Sequence, residues 1–530
     1  MLMKIVINNE SILLANNTIY LKGFCFYKNK LIDSIELLHF LEKINDIHLV
    51  NNFANLLTGQ FNILYKTRSG ELVVINDITN SHILYFCIKN ELTITDDASF
   101  FLKEEISINN EQLKAFKGFS YSLGENTLIN EINIFKTGCV YFFNNNRFSC
   151  FPYFQFHTNK SIEECDTISK MIFAYKNAVS RLIRFANGRQ IVVPLSSGFD
   201  SRLVCSLLNE QKYENVLTYT YSASLDGEAS IAKLIAEHYH YDWNFVQYST
   251  KSLRKLYKSK YFLPLALNLG GFFSAPIIQE WYAIEFLTSQ KLLQENCIFV
   301  PGHSCSSIYE LLSSNNTCKD EYSSEEIVDF IYNIHCIFSK KDSDLLKRLI
   351  KKQLVKNKYT KEDAYSELIN FNYRERQTKC ISNSAKIFEY YGYCYYLLLW
   401  DSEIVYSWNN LDISHSLSRN IYKSLLIKMC PSLMSALNFY DSKKEIANKE
   451  KRAKTFVKKI LPLPFKILKT YFSIKKQKKD LNLWGYSDFF DTFISIIKSQ
   501  PLVDYVWIRK YLFFMKKRIK IYENSNNSRC

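Results

Sequence analysis

The residue types with the most chemistry in this chain lie together in Val192-Val193-Pro194-Leu195-Ser196-Ser197-Gly198-Phe199-Asp200-Ser201-Arg202. A buried-strand pattern runs into a loop of small residues and then into a helix. Small side chains let a backbone approach an anion closely, successive N–H groups and the start of a helix supply positive potential, and serine hydroxyls add donors. Asp200 at the helix start would repel a bare phosphate, so in this reading it holds the Mg²⁺ that accompanies phosphates. The Gly-Lys-Ser/Thr ending of a Walker loop is absent. Without chemistry, the same segment reads as a strand-to-helix turn with Ser201 or Asp200 as its N-cap.

Such a loop needs a sheet behind it. After about residue 160 the pattern alternates strands with longer helical segments, which predicts a parallel sheet with crossover helices. Strands are expected at Ile191 to Leu195, Val216 to Tyr221, Asn244 to Tyr248 and Ile298 to Pro301, with helices at Ser201 to Asn209 and Glu228 to Tyr239. From Ser323 onward the chain reads as mainly helical. The first 150 or so residues differ: short alternating runs at Ile19 to Tyr27, Gly59 to Tyr65, Glu71 to Ile75, His82 to Ile88, Glu91 to Ile94 and Gly138 to Phe143 predict an α+β region rich in antiparallel sheet. Arg68-Ser69-Gly70 between two of them is a hairpin signal.

The Ser-Ser-Gly-Phe-Asp-Ser run resembles the pyrophosphate-binding loop, usually Ser-Gly-Gly-x-Asp-Ser, of ATP pyrophosphatases, and specifically the asparagine synthase family. That family cleaves ATP between its α and β phosphates and makes an acyl-adenylate that an amine attacks to give an amide. Further pieces resemble it: Thr218 to Ser222 with Glu228 and the Ala232-Lys233 helix, Glu375-Arg376-Gln377, Phe388 through Gly392 to Leu399-Trp400-Asp401, and Arg419 to Tyr422-Lys423. Gly59-Gln60-Phe61 and Val73 to Asp77 look like the core of the family's glutaminase-like domain. The Phe-Asp-Ser-Arg, Pro-Gly-His-Ser and Leu-Trp-Asp pieces are similar to asparagine synthase-like proteins of bacterial surface-polysaccharide clusters.

The resemblance implies an α/β protein. Residues 1–155 would be a glutaminase-like, Ntn-type α+β domain, and 160–440 an ATP-pyrophosphatase (HUP-like) parallel-sheet synthetase domain with a helical later part. Residues 441–530 would be a basic helical extension. It implies ATP and Mg²⁺ as cofactors, with Leu195, Ser196, Ser197, Gly198, Phe199, Asp200, Ser201, Tyr221 and Gly302 at the nucleotide and Asp200 on the metal. The substrate would be a carboxylate, with an acidic sugar such as a uronic acid in view, and the co-substrate ammonia or an amine. A lasso-peptide-type cyclase and a non-catalytic homologue that binds nucleotide or a partner enzyme are the competing expectations.

The departures are specific. A glutamine amidotransferase of this type needs a Cys as its exposed first residue; this sequence begins Met1-Leu2-Met3 and its first Cys is Cys25, inside an apparent strand, so glutamine hydrolysis is not expected. In Pro301-Gly302-His303-Ser304-Cys305-Ser306 the branch usually carries an Asp, a second Mg²⁺ ligand, where Ser306 stands; Glu310 is the alternative carboxylate. Ser197 replaces a usual Gly, and Cys394, Tyr396 and Leu398 replace polar residues ahead of Asp401. His303 reads either as a phosphate contact or as a structural imidazole. Lys444 and Lys451 are the candidates for the late lysine that stabilises the leaving pyrophosphate, or else solvated charges.

The chain has 530 residues and a formal net charge of +15, of which about +12 falls between Lys443 and Lys479, with fourteen Lys or Arg against Glu445 and Glu450. A charge so concentrated argues against a general nucleic-acid binder. Phe456 to Phe472 and Tyr505 to Tyr522 interleave aromatic and aliphatic residues with Lys and Arg, which suits either a peripheral contact with an anionic membrane or packing on the synthetase domain. The fourteen Cys are dispersed with no C-x-x-C pair, Met1 to Ala15 lacks signal-peptide features, and no apolar run reaches the roughly 18 residues that span a bilayer. A cytoplasmic protein, or one at the inner membrane face, is the expectation.

Overall fold

The computed structural model describes residues 3–431 apart from 8–11, 14–18, 45–46, 90, 104–105, 145–146, 158–163, 311–318, 337–341 and 413–418. The first part of the chain forms two sheets. One has the order β1 (Met3–Val6), β8 (Leu92–Thr95), β7 (Tyr85–Ile88), β9 (Asn133–Ile134). The other runs β11 (Arg147–Pro152), β10 (Cys139–Asn144), β6 (Leu72–Asn76), β5 (Leu57–Lys66), β3 (Ile19–Tyr27), β2 (Ile12–Leu13), with β4 (Lys30–Ile32) also on β3.

All pairings here are antiparallel except β1 with β8. Alternation decides what each face meets. Tyr20, Leu64, Leu72 and Val74 from the larger sheet pack with Leu84, Phe86, Leu92 and Ile94 around the smaller one, while Leu21, Ile63, Tyr65 and Ile75 point the other way, into a core shared with α1 (Ser34–Leu41) and α2 (Ile47–Asn55). Asp33 caps α1 through a capping box with Glu36.

The second part is built on a five-stranded parallel sheet, β14 (Asp242–Gln247), β13 (Val216–Ser222), β12 (Ile191–Pro194), β15 (Ile298–Phe299), β18 (Cys394–Tyr395). The central strand reads Ile-Val-Val and is fully buried, as a strand covered on both faces must be. Flanking it are α4 (Glu164–Ala186), α5 (Phe199–Glu210) and α6 (Glu228–His238). The edge strand Cys394–Tyr395 lies in a stretch that reads as helical in sequence. Its register, Ile298 to Cys394 and Phe299 to Tyr395, turns an aromatic run into the fifth strand. A short antiparallel ribbon, β16 (Glu321–Ser323) with β17 (Lys358–Thr360), also interrupts the helices.

The two parts share one continuous core that includes Phe26, Phe116, Val192 and Leu425. Polar ties reinforce it. Arg181 of α4 makes a bidentate pair with Asp401, at 2.9 and 2.6 Å, reaches Glu403 at 2.7 Å, and also donates to Asn29 of the turn between β3 and β4. Glu375 accepts from the Gly124 N–H, and Lys379 donates to the Ser122 and Gly124 carbonyls and to Glu375. Among the described residues no helix is long and apolar enough to cross a membrane, and the described cysteines are free thiols.

Candidate active site

In the parallel sheet the chain order is reversed at one point. From β12 the chain moves to β13 and then β14 on one side; β15 returns to the other side of β12, followed by β18. In open α/β sheets such a switch point opens a crevice at the carboxyl ends of the strands. Here the two connections leaving that crevice are the Leu195 to Ser201 loop and Pro301-Gly302-His303.

They meet closely. A Cβ on Gly302 would stand 2.9 Å from the Ser201 backbone nitrogen, a separation real side chains do not tolerate, so glycine is required for the second segment to lie on the first turn of α5. Together with the end of β13 (Tyr219 to Ser222), Glu228 and Ala229 of α6, and Gln279-Glu280, they enclose a cavity of about 640 Å³.

The loop is shaped by its own hydroxyls. Ser201 Oγ accepts from the Ser196 N–H at 3.1 Å, and Ser196 Oγ accepts from the Gly198 N–H at 3.0 Å. The N-cap of α5 is Gly198, which is extended and has no side chain to satisfy the first-turn N–H groups. Asp200 and Ser201 therefore stand inside the helix, and neither is the N-cap that a purely structural turn would use. Twelve residues of helix aim their positive end at the cavity. Beneath the loop, the buried Arg202 guanidinium donates to the Ser197 carbonyl at 2.8 Å and lies 5.0 Å from the Phe199 ring.

Of the residues singled out in sequence, Leu195, Ser196, Gly198, Asp200, Ser201, Tyr221, Gly302 and His303 line this cavity, whereas Ser197 and Phe199 do not. Ser197 is buried under the loop, and Phe199 packs edge-on against Tyr422 at 6.4 Å. Burial lowers His303 to about 4, so its imidazole is neutral at pH 7 and would meet an anion through an N–H. Among the described residues its Nδ1 has no hydrogen-bond partner. Ser306 does not face the cavity; its hydroxyl lies 2.8 Å from that of Ser304, and both are buried. Lys444, Lys451 and the two basic aromatic segments lie outside the described residues, as does the Glu310 side chain.

Two contacts went unread in the sequence. Tyr422, on the helix Arg419–Met429, donates to Asp200 Oδ1 at 2.5 Å; burial and the Asp200 charge both push its phenol upward, so it remains a donor. Glu280 lies in the cavity wall, its Oε2 accepting from Tyr219 at 2.5 Å. Burial pushes its carboxyl up to about 7 against the opposing pull of the Tyr219 and Tyr221 hydroxyls. Glu280 is the lone charged residue between Lys260 and Glu285, a signal available in the sequence.

These residues fit a magnesium nucleotide. Mg²⁺ keeps several waters and takes one or two protein carboxylates plus phosphate oxygens; Asp200 at the loop and Glu228 in the same cavity are the carboxylates that would hold it. The His303 Nδ1, without a partner among the described residues, and the Gly302 cradle are features a bound group would use. Cys25, by contrast, is wholly buried in β3 and its thiol is pushed up to about 12 by burial, which removes it as a nucleophile.

No family model matches the sequence, and no curated protein matches it. Among solved structures, the NH3-dependent NAD synthetase from Campylobacter jejuni subsp. jejuni NCTC 11168, in complex with the nitrate ion, is similar at 17% identity over 30% of this chain and 62% of that one, with a TM-score of 0.19. The chain thus spans less than two thirds of that protein's length. A likeness of this size carries no argument about the chain.

Proposed function

We propose that the protein is an ATP- and Mg²⁺-dependent ligase that forms an amide bond through an acyl-adenylate. The observation that carries this reading is the Gly198-capped loop and helix facing a cavity that also holds Asp200 and a His303 nitrogen without a partner among the described residues, at the switch point of a parallel sheet. In this reading the α5 N-terminus and the Ser196 and Ser201 hydroxyls hold the β and γ phosphates, Asp200 holds Mg²⁺, and Tyr422 fixes the Asp200 rotamer. Bound there, Mg²⁺ would neutralise charge on the phosphates. A carboxylate oxygen of the substrate attacks the α phosphorus and the bond to pyrophosphate breaks. The amine then attacks the acyl carbon, AMP leaves, and the amine proton is lost to water or a base. Neutral His303 contributes a hydrogen bond to phosphate rather than charge.

The carboxylate is proposed to be that of an acidic sugar, and the amine to arrive as ammonia or a whole amino compound, because the Cys25 thiol is sealed away. A second reading, a nucleotide-binding homologue without turnover, is favoured by one observation, the replacement of an expected carboxylate by Ser306 with its hydroxyl engaged by Ser304. Phosphorus NMR of ATP incubated with the protein, Mg²⁺, a uronic acid and an amine separates the two. Appearance of AMP and pyrophosphate supports the ligase; ADP and inorganic phosphate, or bound but unchanged ATP with every acid in the panel, rules it out.

A further inference from the structure

Glu280 is not needed by the loop chemistry above, yet it is among the most carefully held groups in the cavity. It precedes the helix Trp281–Ser289 without using its carboxylate to cap it. Its backbone is clamped on both sides by one residue: Tyr248 donates to the Gln279 carbonyl at 2.6 Å and accepts from the Ala283 N–H at 3.2 Å. Tyr248 is itself stacked on Tyr221, with ring centroids 4.8 Å apart and planes 16° from parallel. The carboxylate then receives the Tyr219 hydroxyl on Oε2 and the Tyr221 hydroxyl as a second donor. An ionised carboxylate offers about four acceptor positions. Among the described residues two tyrosines fill half of them, which leaves acceptor capacity on a group that lines the cavity.

The cavity gives that capacity a direction. The loop at residues 195–201 lines it as an anion-binding surface, and the end of β13 with Gln279 and Glu280 lines it beyond Leu195. A nucleotide whose outer phosphates lie at the loop must extend its nucleoside along the cavity, away from the helix start. A carboxylate beside a nucleoside pairs well with two adjacent hydroxyls, the geometry by which an acidic residue reads a ribose in dinucleotide sites. Resting on the nucleotide reading of this cavity, we propose that Glu280, positioned by Tyr219, Tyr221 and Tyr248, accepts hydrogen bonds from the ribose hydroxyls of the bound nucleotide and makes the site selective for ribonucleotides. The burial that raises its carboxyl to about 7 puts loss of this acceptor within reach of a mild pH change. The titratable groups facing it are Tyr219 and Tyr221 from β13, Tyr248 beyond β14, and Glu228, Asp200 and His303 around the same cavity.

Equilibrium binding of the Mg²⁺ complexes of ATP, 2′-deoxyATP, 3′-deoxyATP and inosine triphosphate, with inorganic pyrophosphate alongside, tests this in wild type and Glu280→Gln at pH 8 and pH 6. The expected result is about a tenfold preference of wild type for ATP over a deoxy analogue at pH 8, the worth of one hydrogen bond to a charged group, shrinking to about twofold at pH 6. Glu280→Gln loses both the preference and its pH dependence while binding pyrophosphate as wild type does. Tyr219→Phe keeps the core volume and is expected to reduce the preference about threefold, so the proposal does not depend on one variant folding. Equal binding of ATP and both deoxy analogues by wild type at pH 8, with pyrophosphate still bound, overturns the role of Glu280 and leaves the nucleotide reading standing. So does a Glu280-dependent preference that appears only against inosine triphosphate. If neither ATP nor pyrophosphate binds, the nucleotide reading itself fails and this inference with it.

Discussion

Asp77 directly follows β6 and Asp200 stands in the first turn of α5, and the two carboxylates have different surroundings. Asp77, after β6 in the antiparallel region, is 1% exposed and accepts from the Phe61 N–H at 2.9 Å, the Thr79 N–H at 2.5 Å, the Thr79 hydroxyl at 2.7 Å and the Ser81 hydroxyl. Asp200 faces a cavity of about 640 Å³ and takes the Tyr422 hydroxyl at 2.5 Å. A carboxylate saturated by its own fold organises backbone. One that opens onto a cavity beside a helix N-terminus is placed to meet a ligand. The same contrast separates Cys25, sealed in β3, from His303, whose Nδ1 has no partner among the described residues.

The contrast can be broken by substitution, and the largest effect is expected on the saturated side. Asp77→Ala leaves the Phe61, Thr79 and Ser81 donors unpaired in the interior, a loss of about 4 kcal/mol given 1–3 kcal/mol for each strongly buried group. Denaturant unfolding followed by fluorescence should show it as a large drop in midpoint. A change under about 1 kcal/mol would mean that Asp77 is not the organiser of its loop.

Next in size, Gly302→Ala pushes a methyl against the Ser201 backbone, and with little room to relax it should cost about 2 kcal/mol and weaken Mg-ATP binding roughly tenfold. Titration calorimetry with unchanged affinity would show that the 301–303 segment and the loop do not form one site. The smallest effect is expected at Cys25→Ala: about 1 kcal/mol of stability for the lost packing and no change in nucleotide turnover. A loss of turnover there would contradict the assignment of this thiol to the core.

Much of this contrast was legible in the sequence. The alternating runs of the first 150 residues and the Ile191, Val216 and Ile298 strands stand where period and composition put them, and the small-residue loop could be read from its own residue types. What could not be read depends on distance in space. Tyr422 reaches Asp200 from 222 residues away in the chain, and Arg181 finds Asp401 across 220. Cys394-Tyr395 became a strand because β15 offered it an unpaired edge, which no local propensity announces. Glu280 stands out in sequence as an isolated charge, but its meaning comes from the two tyrosines of β13 beside it.

The central claim is that the switch-point cavity binds Mg-ATP through the loop and uses it to activate a carboxylate. Exchange of labelled pyrophosphate into ATP, run with a panel of uronic acids on wild type and Asp200→Asn, tests it most directly. The account predicts exchange that requires Mg²⁺ and at least one acid, and that falls about 100-fold in the variant, the scale of losing one preorganised electrostatic contact. Absence of exchange with every acid, together with ATP binding that Asp200→Asn leaves unchanged, would contradict it.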